Sequence, residues 1–252
     1  GGYNLGANGF ADQMRDNAAT GIAMVGGCCG ATPESIAKLK ETFNPLTPAQ
    51  KIPIRRSCRC TPLRFVDVTG ITVVGERINP TGKKRLQQAL REGDSSYPCA
   101  QAVAQAEAGA EVLDVNAGLP GIDEPATLEQ LVRDLQAVTD LPLQLDSSNP
   151  DALSHALRIY NGKPIVNSVN GEQSTLDMIL PLCKKYGAAV VGLALDEHGI
   201  PATADGRFTI AQRIVQAANA VGIPNEDIYI DCLTLTASAP QAGAIQTPEP
   251  LT

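Results

Sequence analysis

Six short apolar runs in this chain each end in side chains built for hydrogen bonding: Glu76 with Asn79, Asp114 with Asn116, Asp146 with Ser147 and Ser148, Asn167 with Ser168, Asp196 with Glu197, and Asp231. Carboxylates and amides dominate, with no paired histidine and few cations. Such a set suits a neutral heterocycle that presents donors and acceptors in alternation, because a carboxylate only accepts while an amide does both. It suits a phosphate poorly, and neither a Gly-x-Gly-x-x-Gly turn nor a Gly-Lys-Ser/Thr loop follows any of the runs. Asp, Asn and Ser at a strand end also serve as N-caps for the next helix. Recurrence at strand after strand favours one shared site over six unrelated caps.

The elements that must carry these groups follow from the pattern between them. Strands are predicted at 72–78, 111–116, 142–146, 164–169, 188–195 and 228–232. Helices are predicted near 83–92, 97–109, 123–138, 150–160, 174–186 and 207–221. The last shows Ala211, Ile214, Val215 and Ala218 at i, i+3, i+4 and i+7, one apolar stripe facing a sheet. Strand and helix alternation of this kind calls for parallel strands with right-handed crossovers. Without a nucleotide-binding turn, an α/β barrel is favoured over an open doubly wound sheet, and the carboxyl ends of its strands form the mouth where chemistry happens. Six strands are two short of a closed barrel; the expectation is that two βα units lie past Thr252 on a longer chain.

Upstream of the barrel the pattern changes. A helix is expected around Phe10 to Ala19 and a short strand at Gly21–Val25, followed by Gly26-Gly27-Cys28-Cys29-Gly30. Thr32 reads as an N-cap and Pro33 as the first residue of a helix running to Phe43. One strand and two helices bury too little to stand alone, so residues 1–43 read as the end of a domain whose body lies upstream. Residues 44–70 hold four prolines, the pair Arg55-Arg56 and no sustained period, and read as a linker. The barrel occupies 71–252.

Composition excludes several partner classes. A net charge of -7, from 27 acidic and 20 basic side chains, argues against nucleic acid or an acidic membrane as a partner. No long apolar run and no basic-then-apolar amino terminus is present, so the expected location is the cytoplasm. Seven scattered cysteines do not form a small secreted disulfide framework. Cys58 and Cys60 fall in the linker and read as chance thiols, and Cys99, Cys183 and Cys232 as small core residues. His155 and His198 take no role.

Several stretches together resemble a known family: Gly-Glu-Arg-Ile-Asn-Pro-Thr-Gly at 75–82, Leu-Asp-Val-Asn at 113–116, Leu-Asp-Ser-Ser at 145–148, Ile-Val-Asn-Ser at 165–168 and Tyr-Gly-Ala-Ala-Val-Val at 186–191. They are similar to the methyltetrahydrofolate-binding barrel of the cobalamin-dependent methionine synthases. Val-Gly-Gly-Cys-Cys-Gly-Ala-Thr-Pro-Glu at 25–34 resembles the end of that family's homocysteine-binding barrel. The resemblance implies a pterin-binding (β/α)8 TIM barrel, truncated to about six strands and preceded by the last βα unit of a second barrel. It implies methyl transfer from 5-methyltetrahydrofolate through cobalamin to homocysteine, forming methionine and tetrahydrofolate, with the cobalamin on another domain in cis or trans.

By the same resemblance the pterin is held by Glu76, Asn79, Asp146, Asn167 and Asp231, with Asp114 and Asn116 as supports or minor contacts. Asp146 and Asn167 are the expected catalytic pair, Arg77 is structural, and a further asparagine used near N5 lies on a later strand absent from this sequence. Cys28 and Cys29 are implied as two zinc ligands, the third lying upstream. The alternatives are a corrinoid-dependent folate methyltransferase or an inactive folate-binding fragment. Dihydropteroate synthase is disfavoured because Ala117-Gly118-Leu119-Pro120 stands where that enzyme has Ser-Thr-Arg-Pro.

Overall fold

The computed structural model describes residues 5–22, 24–46 and 56–234, and the chain divides into two compact units, Gly1–Arg55 and Arg56–Thr252. The first holds α1 (Ala7–Asp16), a 3-10 turn at Asn17–Thr20 and α2 (Pro33–Phe43). Thr32 starts α2 as the sequence predicts. Its hydroxyl accepts from the Ser35 backbone N–H at 3.2 Å, and its own N–H donates to the Ser35 hydroxyl at 3.4 Å, a reciprocal box that satisfies two otherwise orphaned donors. Pro33 sits where a missing N–H does no harm. The helix expected from Phe10 begins at Ala7 and tightens into 3-10 after Asp16.

The strand expected at Gly21–Val25 does not form in the described residues of that stretch, Ala23 lying outside them. Among the described residues of this unit no strand lies beside it to take its backbone N–H and C=O groups, and Met24 is left 89% exposed.

The second unit begins with a hairpin, β1 (Cys58–Cys60) antiparallel to β2 (Phe65–Asp67), inside the interval that its prolines mark as linker. Pro62 sits in the connecting turn, and the Thr61 hydroxyl accepts the backbone N–H groups of Leu63 and Arg64 at 3.3 and 3.0 Å. Six parallel strands follow: β3 (Val74–Ile78), β4 (Val112–Asn116), β5 (Leu143–Asp146), β6 (Ile165–Val169), β7 (Ala189–Leu193) and β8 (Ile228–Asp231), paired in sequence order. Helices α3 (Lys84–Glu92) and α4 (Ser96–Glu107) link β3 to β4. Helices α5 (Glu124–Val138), α6 (Pro150–Ile159), α7 (Gln173–Tyr186) and α8 (Ala204–Ala220) make the later crossovers.

Each of the six parallel strands lies within two residues of its predicted bounds. This is the expected α/β barrel, incomplete, with β3 and β8 as open edges among the described residues. Among those residues no helix is long and apolar enough to cross a membrane.

Period-two alternation sorts the strand side chains. Leu113, Val115, Leu143, Leu145, Val166 and Val190 face the helices and pack, fully buried, against Leu128, Val132, Leu135, Leu153, Ile179 and Ile214. The hairpin closes the amino-terminal end of the barrel. Cys60 exchanges backbone bonds with Lys163, and Thr61 Oγ1 donates to the Asp140 carbonyl at 3.0 Å, both partners lying just before strands. Arg59 is buried there, stacked 4.6 Å from the Tyr229 ring centroid and paired with Asp227 at 3.4 Å. With that end plugged, the opposite end, where the polar strand termini gather, is the open one.

Candidate functional site

Residues two apart on a strand share a face, so Asp114 and Asn116 of β4 point the same way, as do Gln144 and Asp146 of β5. The strand register then sets Asp114 beside Gln144, Asn116 beside Asp146, and Asp146 beside Asn167. Two small networks result. Asp146 Oδ2 accepts from Asn116 Nδ2 at 2.9 Å and from Asn79 Nδ2 at 3.3 Å. Each of those amides is oriented from its other end: Asn116 Oδ1 accepts the Gly118 N–H at 2.7 Å, and Asn79 Oδ1 the Thr81 N–H at 3.0 Å.

Below them, Asp114 Oδ1 accepts from Gln144 Nε2 at 2.6 Å and from Asn167 Nδ2 at 3.4 Å. Among the described residues the only buried side-chain nitrogen or oxygen atoms without a partner are Nε and Nη2 of Arg59. Among the described residues no hydrogen bond reaches the second oxygen of Asp114 or of Asp146, so each keeps acceptor capacity for a ligand's N–H group.

Burial pushes the Asp114 carboxyl up to about 6. The Gln144 hydrogen bond opposes that rise, the neighbouring charges of Asp146 and Glu76 add to it, and Asn167 opposes it. Asp146 is raised too, first by burial, with the Asn116 bond opposing and the charges of Glu76 and Glu124 adding. Glu124, at the start of α5, accepts from the Ser147 hydroxyl and from Asn149 Nδ2. Two carboxylates short of solvent and of partners gain most from a ligand that brings N–H donors.

Six of the expected contacts, Glu76, Asn79, Asp114, Asn116, Asp146 and Asn167, converge on this mouth. Neither Asp114 nor Asp146 caps a helix; that work falls to Asn149 for α6 and Asp123 for α5. Asp231, at the end of β8, is exposed and accepts the Leu233 N–H at 2.7 Å, with no contact to the other six among the described residues. Asp196 is spent locally, on the His198 N–H at 3.0 Å and on Arg213 at 2.8 Å. Three participants escaped the sequence reading: Gln144, Glu124 and Lys83, whose ammonium pairs with Glu76 at 3.3 Å. Gln144 was within reach of it, two residues before Asp146 and so on the same face.

In the first unit Cys28 and Cys29 are both exposed, and a hydrogen bond from the Cys29 backbone holds the Cys28 thiol below its usual range. No group of three His, Cys, Asp or Glu able to hold a metal forms among the described residues. A catalytic zinc takes three protein ligands, so these two thiols do not by themselves fit one. Cys58 and Cys60 lie half-buried in the hairpin of the second unit, and Cys183 is buried in α7 as expected.

Comparison with known proteins agrees with this layout. Residues 75–245 match the family of pterin binding enzymes, and residues 1–43 match that of homocysteine S-methyltransferases. A methionine synthase of Mycobacterium tuberculosis is 31% identical over 230 residues, and one of Mycobacterium leprae 30% over 235, each across 88% of this chain. The resemblance carried by the sequence motifs is thus met by similarity across most of this chain. The chain spans only 19% and 20% of the length of these relatives.

Among solved structures, dihydropteroate synthase of Xanthomonas albilineans, in complex with indole-2-carboxylic acid and 6-chloroguanine, has a TM-score of 0.54 at 20% identity. The match covers 76% of this chain and 70% of that one. The Yersinia pestis enzyme with a pterine-sulfa conjugate scores 0.51 at 18% identity, covering 75% and 69%. At such identities the likeness shows the fold alone.

Proposed function

The chain belongs to the family of pterin-binding enzymes, and we propose that its barrel binds 5-methyltetrahydrofolate and gives up the N5-methyl group in a transfer that passes through cobalamin to homocysteine. The observation that carries this is the pair of carboxylates, buried Asp114 and half-buried Asp146, each held by amides through one oxygen and without a hydrogen bond at the other among the described residues. A pterin offers a 2-amino group and ring N–H donors to such oxygens. Asp146 and Asn167 are assigned as the groups that hold it through the reaction, Glu76, Asn79 and Asp231 as further contacts, and Asp114 and Asn116 as supports.

As the methyl group leaves, N5 must gain a proton, and the hydrogen bonds of Asp146 and Asn167 are assigned to favour that protonated product. Cobalamin, on a separate domain in cis or trans, supplies the nucleophile when it is brought to the mouth; no residue of this chain is assigned to hold it. Cys28 and Cys29 would be two donors toward a zinc that needs a third, and no step is derived through it. A cytoplasmic location, and small molecules rather than nucleic acids or membranes as ligands, go with the reading.

Calorimetric titration of the full chain with 5-methyltetrahydrofolate tests it. Asp146→Ala and Asn167→Ala are each expected to weaken binding by about tenfold or more, because a buried donor of the ligand loses its acceptor or the amide its partner. Unchanged affinity in both variants overturns the site. Transfer of the methyl group to free cob(I)alamin, followed by absorbance, separates an active enzyme from a fragment that only binds.

A further inference from the structure

The loop between β3 and α3 carries the resemblance motif, yet its most connected side chain is one that the motif leaves unexplained. Lys83 Nζ lies 3.0 Å from the Asn79 carbonyl, 3.3 Å from the Glu76 carbonyl, and 3.3 and 3.5 Å from the two carboxylate oxygens of Glu76. An ammonium has three donors, so this one is fully engaged with the end of the strand and the loop that leaves it. The turn is closed from the other side as well. Gly82 takes a left-handed φ of +71°, the Lys83 N–H donates to the Pro80 carbonyl at 3.1 Å, and Gln87 Nε2 donates to the same carbonyl at 2.8 Å.

We propose that Lys83 is a positioning residue of the pterin site: it fixes Asn79 against Asp146 and balances the charge of Glu76 at a mouth otherwise lined with carboxylates. The link runs from Lys83 to the Asn79 backbone, and from the Asn79 amide to Asp146 Oδ2 at 3.3 Å. Charged groups act on Asp146 from several elements: Glu76 from β3, Asp114 from β4 and Glu124 from α5, with Lys83, from the loop before α3, paired to Glu76. Among the described residues the ion pair of Lys83 with Glu76 is the only one at these four carboxylates. The Lys83 side chain is half-buried, whereas that of Glu76 is 59% exposed and meets solvent. The positioning role rests on the pterin reading of the mouth; the charge balance does not.

The test uses the full chain and two readouts. The first is the titration of the Asp146 carboxyl by carbon NMR without ligand. Lys83→Met is expected to move its midpoint upward, Glu76→Gln downward, and the double variant back toward wild type, while Lys83→Arg stays close to wild type. The second is calorimetric binding of 5-methyltetrahydrofolate, expected to weaken roughly tenfold at neutral pH in Lys83→Met and less than roughly threefold in Lys83→Arg. An Asp146 midpoint that does not move in Lys83→Met, with the fold retained by circular dichroism, overturns the proposal. If Lys83→Met does not fold, Lys83→Gln takes its place, with the same expected shift and the same overturning result. A wild-type chain that ignores the folate while the Asp146 midpoint still shifts defeats the pterin reading and leaves the charge balance of Lys83 standing.

Discussion

Asp114→Asn should make this protein more stable at neutral pH. The Asp114 carboxyl is 3% exposed and its value rises on folding from the ordinary 3.8 to about 6. At about 1.4 kcal/mol per pKa unit, the folded state is penalised by about 3 kcal/mol once the group is ionised in both states. For the sign: a folded value above the unfolded one means that the folded state binds more protons between the two, so stability falls as pH rises through that window. Below the unfolded value there is no penalty; above the folded value it is complete. Asparagine keeps an oxygen to accept from Gln144 and Asn167 and carries no charge. The variant is therefore expected to exceed wild type by about 3 kcal/mol at pH 7.5 and by about 1 kcal/mol at pH 4.5. Urea unfolding followed by circular dichroism at the two pH values measures this. A variant no more stable than wild type at pH 7.5, or a difference that does not change with pH, refutes the reasoning. The gain is expected to come with weaker pterin binding, as when a strained site is relaxed.

The floor of the barrel offers two further tests. Asp227→Ala removes the carboxylate that pairs with buried Arg59 and with Lys163 at 2.6 Å, and is expected to destabilise by about 3 kcal/mol or more because it strands a guanidinium that already has two unpartnered nitrogens. Gly162→Ala is expected to lower stability by roughly 2–4 kcal/mol, since Gly162 holds a φ of +130° and an added Cβ would run into the Cys60 carbonyl. Unfolding midpoints unchanged from wild type would count against the hairpin as a plug.

A good part of this architecture is readable without coordinates. The strand runs of the barrel and the Thr32 cap are local: each depends on period, β-branching and capping chemistry within a few residues. Convergence of Asp114, Asn116, Asp146 and Asn167 is nearly as accessible, because parallel strands put their carboxyl ends on one side whatever the loops do. The hairpin at 58–67 was hidden, because Pro62 and a three-residue strand leave no period to detect, and its stability comes from Lys163, Asp140 and Tyr229, far along the chain. The strand expected at 21–25 shows the converse: an apolar run with no partner strand among the described residues does not form one there.

Thus the order of residue types along the chain by itself determined the α/β alternation, the polar rim and the family it resembles, since these follow from side-chain chemistry and spacing. Only the tertiary structure decided which oxygens of that rim are used up and which stay open. Asp196 and Asp114 are both aspartates at the mouth end of a strand, but one is held by Arg213 and its own loop, while the other is buried beside Gln144 with its value raised. That difference comes from desolvation and from partners dozens of residues away, so no local pattern of residues contains it.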